Sequence, residues 1–342
     1  MHIVRLGSVL VVLVTISVLV GVTFGSEHVA FETVLAVLGR RLGLTSADPS
    51  QAADAIIWSL RMPRVVLAAI VGGGLAIIGV AMQTLVRNPL AEPYILGISG
   101  GAAAGASLFY LGFLPPLLSR AFSMPVAAFL GGLLSITVVY MVARTDATVS
   151  VARLLLAGVA MAAMMGAITA LVTFASPEPD KLRAVLFWLQ GSVSGARWSS
   201  LPLPALVACS GLVLLIALSR PMDAMLLGEE PAFSLGIPTE RIKHILIGLA
   251  ALVTGTLVAT SGAIGFVGLI VPHIVRFFTG VSHRRLVPAS FLVGAVFLIW
   301  ADLAARTILP SQELPVGSVT ALCGVPFFLA LLRRKHYRFQ AS

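Results

Sequence analysis

The chain has 342 residues, 58% of them hydrophobic and 11% charged, with a mean hydropathy of +1.02. Soluble domains carry roughly 25% charged residues, so a water-soluble fold is excluded. The formal charge of +9 comes from 23 basic and 14 acidic residues lying in loops between apolar runs. This is the pattern of cations flanking membrane helices, not of a nucleic-acid-binding face.

A helix crosses about 30 Å of hydrocarbon in about 20 residues. On that ruler ten segments are predicted: Leu6–Phe24, Val65–Val86, Tyr94–Leu114, Met124–Ala143, Val151–Ala175, Leu201–Ser219, His244–Thr260, Phe266–Thr279, Leu286–Ala304 and Val316–Leu332. The first run is longer than a signal-peptide core and lacks a good cleavage site, so it reads as a retained helix. Between the first two lies an outer loop, about residues 25–63, holding the amphipathic stretch VAFETVLAVLGRRLG. The eighth segment is short, and Gly262, Gly265 and Gly268 crowd its start, which suits a broken or tilted helix. Cys209 and Cys323 fall inside apolar runs and read as buried thiols, neither a disulfide framework nor a metal site. With both termini in the cytoplasm, fourteen of the 23 basic residues lie inside, and the terminal RRKHYR is the strongest element of that bias. The expectation is an all-α polytopic protein, one membrane domain over residues 1–342.

Gly97, Gly101 and Gly105 recur at four-residue steps and place small residues on one helix face, where a neighbouring backbone can approach. Gln83 reads as interhelical glue and His273 as a structural group. Asp302 and Arg306, four apart, can pair with each other. No carboxylate stands near the middle of an apolar run, and ion-coupled carriers need such an acid or broken-helix carbonyls. The glycine-rich eighth segment keeps a carbonyl site, and hence a secondary carrier, open. The motifs HExxH and GxxxxGK[ST] do not occur. Neither an enzyme nor a cofactor site is expected, so ATP for powered transport would be bound by another polypeptide.

One stretch is unlike the rest: PMDAMLLGEEPAFSLGIPTER, residues 221–241. Proline favours the first position of a helix and glycine the position past its end. Pro221 and Gly228 therefore bracket one short helix, and Pro231 and Gly236 another. Met225, Leu226, Phe233 and Leu235 are expected to be exposed on this pair. Glu229 and Glu230 precede the second helix, where acids suit its dipole. Short helices in water need something to bury against, which points to a soluble partner docking on this loop.

The chain resembles the FecCD-type permeases, the membrane subunits of ATP-binding-cassette importers for iron–siderophore, haem and cobalamin. The likeness is carried by LRMPRVVLAAIVGGGLAIIGVAMQTLVRNPLAEPYILGISGGAAAGA (60–106), SVARLLLAGVAM (150–161), LGEEPAFSLGIP (227–238), SGAIGFVGLIVPHIVR (261–276) and ADLAARTILPSQELPVGSVTALCGVPFFLALLRR (301–334). The resemblance implies the type II importer permease fold: ten helices per protomer, a homodimer around a central pathway, and a bacterial cytoplasmic membrane. It further implies two cytoplasmic ATPase subunits and a periplasmic or lipid-anchored substrate-binding protein. By position, Arg61, Arg64 and Arg306 would receive the binding protein. Leu226, Gly228, Glu229, Glu230, Phe233, Leu235 and Gly236 would meet the ATPase. Asn88 and Leu90, with Val151 and Ala152, would form the cytoplasmic gate. Ferric siderophore is the expected cargo, with haem or cobalamin as the alternative. Lys181, Arg183 and Arg197 could meet cargo carboxylates, but a solvated loop explains them equally well.

Overall fold

The computed structural model describes residues 2–25, 29–45, 49–146, 148–176, 178–309 and 312–333. The described residues are mostly helical, because over an apolar run a helix satisfies its own backbone hydrogen bonds within lipid. In chain order the helices are α1 (His2–Thr23), α2 (Phe31–Arg41), α3 (Gln51–Asp54), α4 (Met62–Val86), α5 (Ile98–Tyr110), α6 (Pro116–Ala121), α7 (Met124–Ala143) and α8 (Val151–Phe174). They continue as α9 (Pro179–Leu189), α10 (Pro202–Ala217), α11 (Ser219–Met225), α12 (Glu229–Ser234), α13 (Thr239–Ser261), α14 (Val267–Thr279), α15 (His283–Thr307) and α16 (Val316–Leu332). A π-helical turn, Ala55–Arg61, joins α3 to α4 in one continuous helical run. Two two-residue strands, β1 (Arg144–Thr145) and β2 (Thr148–Val149), pair antiparallel before α8.

Each of the ten expected membrane segments contains a helix. Among the described residues six are long and apolar enough to cross a membrane alone, whereas α5, α10, α14 and α16 are shorter. The eighth segment is indeed cut short: residues 262–265 are non-helical, and Phe266 at its head has φ +68°. The amphipathic stretch of the outer loop is α2, and the loop at 176–200 holds α9, which the hydropathy pattern did not reveal. Cys209 and Cys323 correct their expectation: both are exposed on the outside of the bundle.

α4 runs through the centre, packed by α15, α13, α14 and α10. Such closeness needs missing side chains. A Cβ on Gly79 would stand 2.0 Å from the Gly268 carbonyl oxygen, and one on Gly72 2.2 Å from that of Gly294. The second half of the packing is the α5–α7 pair, where Gly101 and Gly105 face the backbone of Gly131 and Ala127. Gly97 turns at φ +77° to start α5. Gln83, buried in α4, donates from Nε2 to Gly268 O at 3.2 Å and so ties α4 to α14.

Candidate functional site

The two ends of the bundle carry different chemistry. At one end the chain leaves α10 and bends by 63° into α11. α11 begins at Ser219, two residues before Pro221, and ends at Met225. α12 begins at Glu229, so both glutamates lie inside its first turn rather than ahead of it, with Gly228 as its N-cap. Gly236, at φ +79°, ends the element. Phe233 and Leu235 stand 72% and 65% exposed, as expected of both. Met225 corrects its expectation at 2% exposed, since it packs into the core, and Leu226 is half-buried; Leu227 is the exposed apolar residue there.

These helices are fastened from behind. Lys243, only 2% exposed near the start of α13, donates to Glu229 Oε2 and to the Val149 carbonyl, both at 3.1 Å, and pairs with Glu240. Glu240 in turn accepts from the Val149 amide at 3.0 Å. One ammonium thus binds α12, α13 and β2, two residues before Val151. Glu229 is partly buried and held from within by the Lys243 ammonium. Glu230 is exposed.

A second fastening joins α11 to α4. Asp223 Oδ1 accepts from the His283 amide at 2.9 Å and faces His283 Nδ1 at 2.6 Å. His283 Nε2 lies 2.7 Å from Thr84 Oγ1, inside α4. Burial alone would raise the Asp223 carboxyl, but the hydrogen bonds from His283 outweigh it and hold the group below the usual carboxylate range. At the end of α4, Arg87 adopts the left-handed conformation and Asn88 Oδ1 accepts from the Leu90 amide at 2.9 Å. Asn88 and Ala152 are exposed, Leu90 and Val151 partly so.

At the opposite end the three arginines expected to point outward are buried. Arg61 donates to the Val22 and Thr23 carbonyls at the end of α1. Arg64 Nε donates to both oxygens of Asp302 at 2.9 and 3.1 Å, and its Nη1 to both oxygens of Glu313 at 2.9 and 3.0 Å. Arg306 donates to Gly21 O and lies 3.5 Å from Asp302, so the expected pairing within α15 is the weaker of the two that Asp302 makes. Charges at a helix end inside a bundle need partners, and these find them between α1, α4 and α15. They line a cleft of about 300 Å³ together with Gly25, Leu60 and Glu313. A larger cleft of about 760 Å³ nearby is lined by Arg183, Phe187, Trp188 and Tyr110. Lys181 is outside it, paired with Glu178. Among the described residues no group of three or more acids, histidines and cysteines could hold a metal ion.

The profile of the FecCD transport family matches residues 11–334. The chain belongs to that family. It is 42% identical to the cobalamin import system permease protein of Halobacterium salinarum over 295 residues, 84% of this chain and 76% of the relative. It is also 42% identical to the hemin transport system permease protein of Yersinia pestis over 282 residues, 82% of this chain and 84% of the relative. A solved structure described as an inward-facing metal-chelate type ABC transporter superposes with a TM-score of 0.81 at 28% identity, covering 97% of this chain and 99% of that one.

This FecCD permease therefore has the type II importer permease fold, and the family assignment adds meaning to residues that hydropathy passed over. Lys243 and His283 stand beside apolar runs, where hydropathy gives them no partner. The Glu92 carboxylate, between α4 and α5, accepts from the Phe266 amide at the head of α14. An acid at the positive end of that helix is favourable. The signal available in sequence for Lys243 was Glu240, three residues before it on the same helix; nothing local marks Glu229 or Val149.

Proposed function

We propose that this FecCD permease forms, as a homodimer, the transmembrane pathway of an ATP-driven importer for ferric siderophore in a bacterial cytoplasmic membrane. The observation that carries the reading is the α11–α12 pair, which presents Phe233 and Leu235 to solvent on a framework pinned by Lys243 and His283. An apolar pair on a rigid base suits a cytoplasmic ATPase, with Glu229, Glu230 and the glycines at 228 and 236 shaping the contact. That end then faces the cytoplasm, in keeping with the loop-charge bias; most of the terminal RRKHYR lies outside the described residues. Asn88, Leu90, Val151 and Ala152 line the cytoplasmic gate in this reading. The substrate-binding protein docks at the other end, over the cleft of Arg61, Arg64 and Arg306, where three cations face Asp302 and Glu313.

Support for the second copy comes from α8, which is little buried in the protomer although its outer face carries Ala160, Ala163, Gly166 and Ala170. Small residues on an exposed membrane helix suit close helix–helix contact. A second reading of the cargo, a tetrapyrrole, is favoured by the relatives named for cobalamin and hemin.

The test is uptake into vesicles holding the permease with its ATPase and binding protein, offered ferric siderophore, haem and cobalamin in turn. Siderophore uptake that needs ATP is expected; uptake of haem or cobalamin alone reassigns the cargo. Uptake by the permease alone under a proton gradient would return the secondary carrier. Interface energy concentrates in a few apolar anchors of about 2 kcal/mol or more each. Phe233→Ala should accordingly loosen ATPase co-purification by roughly tenfold. Wild-type retention would make the loop a plain connector.

A further inference from the structure

The Asp223–His283–Thr84 chain crosses from the docking element to the middle of the packing, and its construction is unusual for this apolar interior. Asp223 is partly exposed on α11, and a single oxygen of it takes both the backbone and the ring N–H of His283, so the head of α15 is bound to α11. His283 is 1% exposed and Thr84 is fully buried. Their neighbours Met222, Leu286 and Val80 are buried and apolar. With Nδ1–H directed at the carboxylate, Nε2 is left to meet the Thr84 hydroxyl, which also lies 2.9 Å from Val80 O.

Thr84 sits where α4 ends. Its carbonyl accepts the Arg87 amide at 3.2 Å, and that of Gln83 accepts the Asn88 amide at 3.1 Å. The turn at 87–91 therefore hangs from the residue that the histidine holds. A Cβ at Gly228 would stand 3.6 Å from Arg87 Nη1, so the same turn also borders the α11–α12 loop directly. Well-packed apolar residues could join these helices at no loss of stability. What a buried, satisfied polar chain adds is a defined geometry, since slipping any link strands a polar group away from water.

We infer that Asp223, His283 and Thr84 act as positioning residues for transport, transmitting movement of α11 to the turn at 87–91 at the end of α4. This rests on the importer reading above, in which α11–α12 meets the ATPase and that turn belongs to the gate. The approach of the Arg87 side chain to the loop is the competing route, and the substitutions separate the two because none alters that side chain.

Thr84→Val keeps the side-chain shape and removes the hydroxyl, Thr84→Ser restores it, and Asp223→Asn keeps the size and removes the charge. In vesicles holding the permease with its ATPase and binding protein, Thr84→Val and Asp223→Asn should hold the ATPase within about twofold of wild type yet lose uptake per ATP hydrolysed by roughly tenfold or more. Thr84→Ser should stay within about twofold of wild type, and the Thr84→Val/Asp223→Asn double variant should be no worse than the worse single one, as for residues acting as a unit. In purified permease without ATPase, hydrogen exchange at the amides of residues 86–91 should rise by roughly fivefold or more in Asp223→Asn and Thr84→Val. Wild-type coupling in Thr84→Val, additive losses in the double variant, or uptake lost only in proportion to ATPase lost would overturn the relay. If wild-type vesicles show no ATP-dependent uptake, the importer reading fails, and unchanged exchange at 86–91 then overturns the relay by itself.

Discussion

A charged residue in this bundle is informative only together with its partner. Arg64 and Asp302 are 238 positions apart and both buried, so neither can be hydrated when the other is removed. Arg64→Met should leave Asp302 with Arg306 alone at 3.5 Å and cost about 3 kcal/mol of stability, the range for breaking a buried pair. Glu313→Gln removes a carboxylate that is 41% exposed and should cost about 1 kcal/mol or less. Denaturant unfolding of the purified protein in detergent compares the two, and equal losses would reject the burial argument. Lys243 follows the same logic with a different outcome. Its two acids are each about a third or more exposed and can return to water, whereas the ammonium itself cannot. The pair therefore orients α12 through the cation.

Helices here are placed by what their neighbours lack. Gly101 sits so close to α7 that a Cβ would come within 2.3 Å of the Gly131 carbonyl oxygen, a contact with backbone that no rotamer relieves. Gly101→Ala should force α5 and α7 apart and cost about 1–3 kcal/mol. Gly166 on α8 has nothing within 4 Å, so Gly166→Ala should leave the isolated protomer as stable or raise it by a few tenths up to about 1 kcal/mol through helix propensity. Unfolding of the monomeric protomer in detergent reads both; a Gly101→Ala protein as stable as wild type would show that α5 and α7 can part freely. The four-residue glycine spacing was visible in the sequence, but which helix it met was not. Ser150, whose hydroxyl accepts from the Arg153 amide at 3.4 Å, starts α8 in the way its residue type suggests.

For the whole molecule the open question posed by the protomer is what covers α8. A tryptophan in place of Ala163, on the exposed face, meets no neighbour within one copy but would collide with a second copy packed there. Ala163→Trp should leave the helical content and thermal unfolding of the protomer unchanged while shifting the mass measured by light scattering in detergent from dimer to monomer. A dimer of undiminished stability would place the second copy on another face. The two ends of the bundle are already distinct in one copy: a short helix pair with exposed aromatic and aliphatic side chains at one, and a compensated cluster of cations and acids at the other.

Hydropathy and punctuation by proline and glycine were enough to show a membrane protein, its ten helical segments and the short pair at 221–236, because each follows from interactions within a single helix length. Five motifs in series were enough to show the family. Helix ends moved by a few residues, as at Ser219 and Glu229, where capping by Gly228 decided the boundary. Apart from the within-helix pairs Asp302–Arg306 and Glu240–Lys243, the partners of the charged residues were decided only by the tertiary structure. Loop statistics treat Arg64, Lys243 and His283 as groups facing water, whereas folding brings α15 alongside α4 and sets β2 against α13, burying all three. In that low-dielectric interior a charge is held by whichever opposite group the packing delivers within about 3 Å, and that distance is a property of the assembled bundle.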